Sequence, residues 1–283
     1  MTPASGSDVA DVVLAAADYP ILEFDPARTA MIEPSVHLCS PVPLSGQADG
    51  GEAPVDMPER AVVCFFGDVV ARVARERGAR PVVDLVSEHG RHTVWEIAAE
   101  GGERVAFFQP GIGAPLAAFF LEEAVQYGVR KVVACGGAGA LVPELVLGHP
   151  IVVAGAVRDE GTSYHYLPPA RRVDTEPSVV AALEGVLRGA DVPYSVGVTW
   201  TTDAPYRETA GKVAARRQEG CVTVEMEAAA LLAVAKWRGV TLGQFLYAGD
   251  ALHDEEWDHR DWTSAGEVRE RLFWLAVEAC LAL

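Results

Sequence analysis

Four strings in this sequence gather side chains that could do chemistry: Glu225-Met226-Glu227, Asp250, Gly136-Gly137-Ala138-Gly139, and the segment Arg158 to Tyr166. Glu225-Met226-Glu227 reads as the opening of a helix over 223–238, stopped by Gly239. Carboxylates there either answer the helix dipole or turn one oxygen pair inward to accept hydrogen bonds from the vicinal hydroxyls of a sugar. Asp250 closes the apolar run Gln244-Phe245-Leu246-Tyr247-Ala248. Burial at a strand mouth raises a carboxyl pKa and suits it to general-acid work, whereas a cap or loop acid is the plainer reading. Asp254, Glu255, Glu256, Asp258 and Asp261 read as a solvated acidic loop without the spacing of a Mg²⁺ site, and no metal is expected. The glycine run follows the strand 131–135 and offers either a backbone N–H cradle or a tight turn. It opens no helix as G-x-G-x-x-G, so it is not a dinucleotide fingerprint. Arg158 to Tyr166 mixes a cation, hydroxyls and aromatics, which suits a base- or ribose-contacting loop as well as a plain surface loop.

The elements that must position these residues follow from hydrophobic patterning. Apolar runs at 61–66, 82–86, 105–108, 132–135, 151–157, 194–199 and 242–248 read as strands. Amphipathic segments at 115–127, 177–190, 223–238 and 264–282 read as helices between them. Continuous apolar strands imply a sheet covered on both faces, so the expected fold is α/β with a mostly parallel central sheet. Ligands in such sheets bind at the carboxyl ends of the strands, where Gly67-Asp68, Gly111-Ile112-Gly113, Gly136–Gly139, Thr201-Thr202-Asp203 and Gly249-Asp250 fall. Residues 1–60 differ: seven prolines from Pro20 to Pro58 and a Gly/Ser/Asp-rich patch from Ser45 to Glu52 preclude long helices. The expected organisation is an N-terminal extension, 1–60, packing on one α/β domain, 61–283.

Composition excludes several classes. The chain has 283 residues and a formal net charge of −17, with 40 Asp and Glu against 23 Lys and Arg. Broad phosphate-backbone binding needs the opposite balance, so nucleic acid is not an expected partner. No apolar run is long enough to span a bilayer, and the N-terminus lacks the basic residue of a signal peptide. Cys39, Cys64, Cys135, Cys221 and Cys280 show no paired spacing and read as free thiols in a reduced, cytoplasmic protein.

Taken in order, the motifs resemble the nucleoside phosphorylase family, in the branch of uridine phosphorylase and the hexameric purine nucleoside phosphorylases. Gly111-Ile112-Gly113-Ala114-Pro115 resembles G-[IM]-G-x-P, and Gly136 to Leu141 resembles the G-x-x-G-A loop. Val157 to His165 is similar to V-R-x-D-G-x-S-x-H, and Gly197-Val198-Thr199 with Thr202-Asp203 to G-V-T…S-D. Glu225-Met226-Glu227 resembles the E-M-E that closes on ribose. The resemblance covers roughly 61–283 and implies a single α/β domain whose central mixed sheet is partly barrel-like.

It also implies roles. Glu227 would accept from the ribose hydroxyls, beside Glu225, with Met226 on the sugar. Asp250, 23 residues later, stands where purine-acting members carry the acid that protonates the leaving base. Tyr206, Thr202, Asp203, Gly137, Gly139 and His165 would complete the nucleoside site. Gly67, Arg72, Arg91 and Arg158 would hold phosphate, Arg91 being the arginine given to a neighbouring subunit of a homo-oligomer, dimer or hexamer. No cofactor is implied beyond inorganic phosphate as co-substrate. Three departures fall at the phosphate site: the family's strand arginine is Ala134, its loop Ser/Thr is Gly137, and its helix arginine is Ala71. Charge-assisted bonds contribute about 1.5–3 kcal/mol each, so two losses weaken phosphate binding by orders of magnitude unless other groups replace them. The expected activity is phosphorolysis of a nucleoside. Hydrolysis by water, as in the related nucleosidases, and nucleoside binding without catalysis are the alternatives.

Overall fold

The computed structural model describes residues 19–34, 40–43, 55–88, 90–252 and 257–283. The Ser45–Glu52 patch, Cys39 and residues 254–256 of the acidic loop lie outside them. The strands are β1 (Ser40–Pro43), β2 (Arg60–Cys64), β3 (Arg80–Ser87), β4 (Gly90–Ala98), β5 (Arg104–Phe108), β6 (Lys131–Ala140), β7 (Pro150–Asp159), β8 (Arg172–Asp174), β9 (Ser195–Thr202), β10 (Cys221–Glu225) and β11 (Thr241–Ala251). The helices are α1 (Gly67–Glu76), α2 (Ala114–Gln126), α3 (Pro177–Gly189), α4 (Ala210–Gln218), α5 (Ala228–Arg238) and α6 (Gly266–Ala282).

All eleven strands join one sheet in the order β1-β3-β4-β5-β2-β6-β10-β9-β7-β11, with β8 on β7. A further pairing of β6 with β11 closes β6, β10, β9, β7 and β11 into a five-stranded barrel, from which the other strands extend as an open wing. The sheet is mixed: β2–β5, β2–β6, β6–β11, β7–β9 and β9–β10 are parallel, while β3–β4, β4–β5, β6–β10 and β7–β11 are antiparallel. β6 is the shared strand. Its first half pairs with β2 on one side and β11 on the other, and its last residues turn to β10.

Successive residues of β2 and β6 enter two different cores. Ala61, Val63, Val132 and Ala134 pack beneath α2 and α5, and Val62, Cys64, Val133 and Cys135 beneath α1, α3 and α6. That two-sided burial is why the runs are continuously apolar. α5 is buried from Ala228 through Ala235, apolar all round, and stops at Gly239, whose left-handed φ of 70° suits glycine. Cys64, Cys135, Cys221 and Cys280 are free and buried. Residues 19–34 lie partly against the end of α5: Arg28 sits over the Trp237 ring at 4.1 Å, and Phe24 meets that ring edge-on.

Two expectations are corrected. The helix at 223–238 is β10 followed by α5, because Cys221–Glu225 pairs with β9 before the chain turns at Met226. The two glutamates are therefore not in a helical first turn: Glu225 ends the strand and Glu227 sits at the helix N-cap. The glycine run is not a loop either. β6 continues through it, and glycine is required by crowding inside the barrel: a Cβ at Gly139 would lie 2.4 Å from Leu252 and 3.0 Å from Val224, and one at Gly136 3.1 Å from Phe65.

Candidate active site

A cavity of about 450 Å³ opens at the barrel mouth, where β6, β10 and β11 end. Glu225 lies at its back, 6 % exposed, with its carboxylate saturated. Thr201 Oγ1 donates to one oxygen at 2.6 Å, and the backbone N–H groups of Glu227 and Ala228 donate to the other at 2.8 and 2.7 Å. Ala229 N–H in turn donates to Thr201 Oγ1 at 3.0 Å, so Glu225 and Thr201 together cap α5. Glu225 fixes the turn that carries Met226 and Glu227.

Glu227 projects differently. Its Oε1 accepts the N–H of Gly113 at 2.6 Å, across 114 residues of sequence. Gly113 can present that N–H because its φ of 92° is open to glycine, just before α2 starts. Burial pushes the Glu227 carboxyl above the ordinary glutamate range, the nearby Glu225 charge pushes it further, and the Gly113 and Met226 N–H groups pull it back. Burial raises Glu225 as well, against the three hydrogen bonds that favour its ionised form.

On β11, Asp250 lines the same cavity and accepts the indole N–H of Trp257 at Oδ2, 2.6 Å away. Glu208, just before α4, faces it from the cavity wall. Burial pushes the Glu208 carboxyl up to about 7, Asp250 adds to the rise, and Lys212 opposes it. Glu208 can therefore keep a proton available near neutrality in the cavity that also holds Asp250.

The cavity gathers Gly137, Gly139, Glu225, Met226, Glu227 and Asp250 of the residues expected from sequence. The others stand elsewhere. Tyr206 is 99 % exposed, turned outward by the short 3-10 turn Pro205–Arg207, while its neighbours Pro205 and Glu208 line the wall. Thr202 Oγ1 accepts Ala204 N–H, and Asp203 accepts Gly161 N–H at 2.8 Å. His165 lines a separate cleft between residues 25–34, α2 and α5. Arg158 is consumed within its own loop, donating to Ser163 Oγ and to the carbonyls of Pro168 and Leu167. Arg72 pairs with Glu270 at 3.0 Å and Arg91 with Asp84. Gly67 is shielded by Gln109, whose Oε1 lies 2.7 Å from where a Cβ would stand.

Sequence reasoning missed Glu208, Gln244, Trp262 and Arg269 in the lining. Glu208 follows Tyr206 by two residues, at the end of the 3-10 turn, and no motif in the sequence marks it. Gln244 is the one amide in an otherwise apolar β11 run, which is itself a signal, since a buried polar side chain needs a partner.

A five-stranded barrel fused to an open wing is a fold shared with known proteins. The chain belongs to the phosphorylase superfamily, whose sequence profile matches residues 59–282. A guanosine phosphorylase of Halorubrum lacusprofundi is 29% identical over 160 residues, 56% of this chain and just under two thirds (66%) of that protein. The uridine phosphorylase of Vibrio fischeri superposes with a TM-score of 0.67 at 25% identity, over 80% of this chain and 91% of that one. An AMP nucleosidase from Bacteroides thetaiotaomicron has the same fold, with a TM-score of 0.63 at 22% identity over 80% of this chain and 88% of that one. Among the described residues no helix is long and apolar enough to cross a membrane.

Proposed function

We propose that this protein cleaves the N-glycosidic bond of a nucleoside by phosphorolysis, giving free base and (deoxy)ribose-1-phosphate. The observation that carries the reading is Glu227: a buried carboxyl that accepts a glycine N–H at 2.6 Å and lines a cavity also lined by Asp250 and Glu208. Glu227 accepts from the 2′- and 3′-hydroxyls, with Met226 against the sugar. A phosphate oxygen bonds to C1′ as the C1′–N bond breaks, and the bond's electron pair leaves with the base. Hydrogen bonds from the sugar hydroxyls favour the ionised form of Glu227, whose negative charge stabilises the positive charge that builds at C1′. Asp250 and Glu208 face the base and supply the proton or hydrogen bond that its nitrogen needs. Two acids there favour a base edge that can be protonated or that offers N–H donors, as purines do. The relatives named as guanosine and uridine phosphorylases support the reaction type.

A hydrolytic reading rests on one observation: Ala134 and Gly137 stand where the phosphorylase pattern has phosphate ligands. Base release from a panel of nucleosides, with and without phosphate, separates the two. Phosphate-dependent sugar-1-phosphate is the expected product, and free sugar at a phosphate-independent rate would replace phosphorolysis by hydrolysis. Four buried free thiols fit a reducing, cytoplasmic setting. Arg91, outside this chain's own cavity, fits donation to a neighbouring subunit in a homo-oligomer.

A further inference from the structure

The arginines expected at the nucleophile end of the cavity are engaged elsewhere, and two other side chains stand there with donors unspent. Gln244, midway along β11, is 1 % exposed and lines the cavity, yet neither its Nε2 nor its Oε1 has a hydrogen-bond partner among the described residues. Its register partner on β6 is Ala134, the position at which the family resemblance expects a phosphate-binding arginine. A buried amide with both atoms unpaired is costly to the fold, and a ligand that pairs them removes that cost.

Arg269 reaches the same cavity from α6. Its guanidinium lies 4.8 Å from the centre of the Phe66 ring and pairs with Asp68 at 3.2 Å, so it stands over the start of α1. That is the helix whose own expected arginine is Ala71 and whose Arg72 turns to Glu270. Arg269 Nε is buried without a hydrogen-bond partner among the described residues. The Phe66 and Tyr247 rings meet at a tilt with centres 5.7 Å apart, and a Cβ at Gly137 would lie 3.2 Å from the Tyr247 ring, so Tyr247 stands where the family pattern has a Ser/Thr side chain. Among the described residues Arg269 is the cation in the cavity lining, and its fork of five donors has capacity for a second anion beside Asp68.

We propose that Arg269 of α6 and the amide of Gln244 on β11 seat the attacking oxyanion, inorganic phosphate, in place of arginines on β6 and α1. This rests on the phosphorolytic reading above. Gln244 Nε2 and the Arg269 N–H groups donate to phosphate oxygens, and Gln244 Oε1 accepts a hydrogen bond from the hydroxyl of monohydrogen phosphate.

The test measures phosphate binding by calorimetry, together with KM for phosphate and for nucleoside, on the full chain and on four variants. Arg269→Ala and Gln244→Glu should each weaken phosphate about 10- to 100-fold while nucleoside KM stays within about twofold. Arg269→Lys, which keeps the charge and loses the fork, should fall between. Asp68→Asn is the discriminating variant: releasing Arg269 should tighten phosphate a few-fold, whereas a bridge that merely ties α6 to α1 would make it behave like Arg269→Ala. Wild type that stays phosphate-dependent while all four variants keep its phosphate affinity overturns the seat and leaves phosphorolysis standing. Loss of melting temperature with both KM values moving together also overturns it. Wild type that binds no phosphate and releases free sugar removes both, which the wild-type data alone reveal.

Discussion

Two polar segments end buried strands in this molecule, and they spend their charges in opposite ways. In Arg158–His165, Arg158 is 4 % exposed and gives its donors to Ser163, Leu167 and Pro168, while Ser163 N–H and Oγ–H both donate to Glu160. That loop is closed on itself. In Glu225–Glu227 only the first glutamate is saturated, and the second is held by Gly113 and aimed at a cavity. Density of polar residues does not mark a site. What marks it is a buried polar group held in place with capacity left over, and Glu227 and Gln244 meet that description where Arg158 does not.

The contrast breaks most sharply under substitution. Glu227→Gln should lower kcat/KM about 10²–10³-fold with an unchanged melting temperature, read by steady-state kinetics and calorimetry. Glu160→Gln should do the reverse, lowering the melting temperature while leaving the kinetics of the folded protein within a few-fold. Asp250→Asn should cost turnover about 10²-fold, well beyond any loss of nucleoside affinity; unchanged affinity with no turnover in wild type would mean a binding protein. Arg158→Leu strands several buried acceptors and should destabilise by about 2–4 kcal/mol in denaturant titrations, with phosphate KM unmoved. The smallest effect belongs to Glu208. Its folded pKa of about 7 lies above the ordinary 4.5, so both folded and unfolded chains hold the proton below pH 4.5. As pH rises through about 7 the folded chain resists ionisation and this group's contribution to stability is lost. Glu208→Gln should therefore stabilise on the order of 1 kcal/mol at pH 8, about 2–3 °C in Tm, and leave stability at pH 4.5 unchanged.

Much of this was legible in the sequence, and the exceptions have physical causes. β2, β7 and β11 are buried on both faces and read as unbroken apolar runs. β4, with Arg91, His92, Thr93 and Glu96 among its nine residues, is half-exposed and left no such signature. β10 is only five residues long and runs straight into a helix, so its β pairing was hidden by the helical pattern that follows. Glycine normally weakens strands, which disguised the end of β6, where the barrel's close approach needs the missing Cβ. Within the site, Glu227 and Asp250 were legible because motif spacing carries them. Arg269 was not, because a single arginine in a C-terminal helix gives no hint that it reaches the cavity.

The double membership of β6 has a consequence in solvent exchange. One strand belongs at once to the barrel and to the open wing, bonded to β2, β11 and β10. Neither part can breathe far from the other without tearing its ladder, so the amides of Val132 to Cys135 should be among the last in the molecule to trade protium for deuterium. The cavity floor would then open on the timescale of global unfolding, even where the loops around it exchange within seconds.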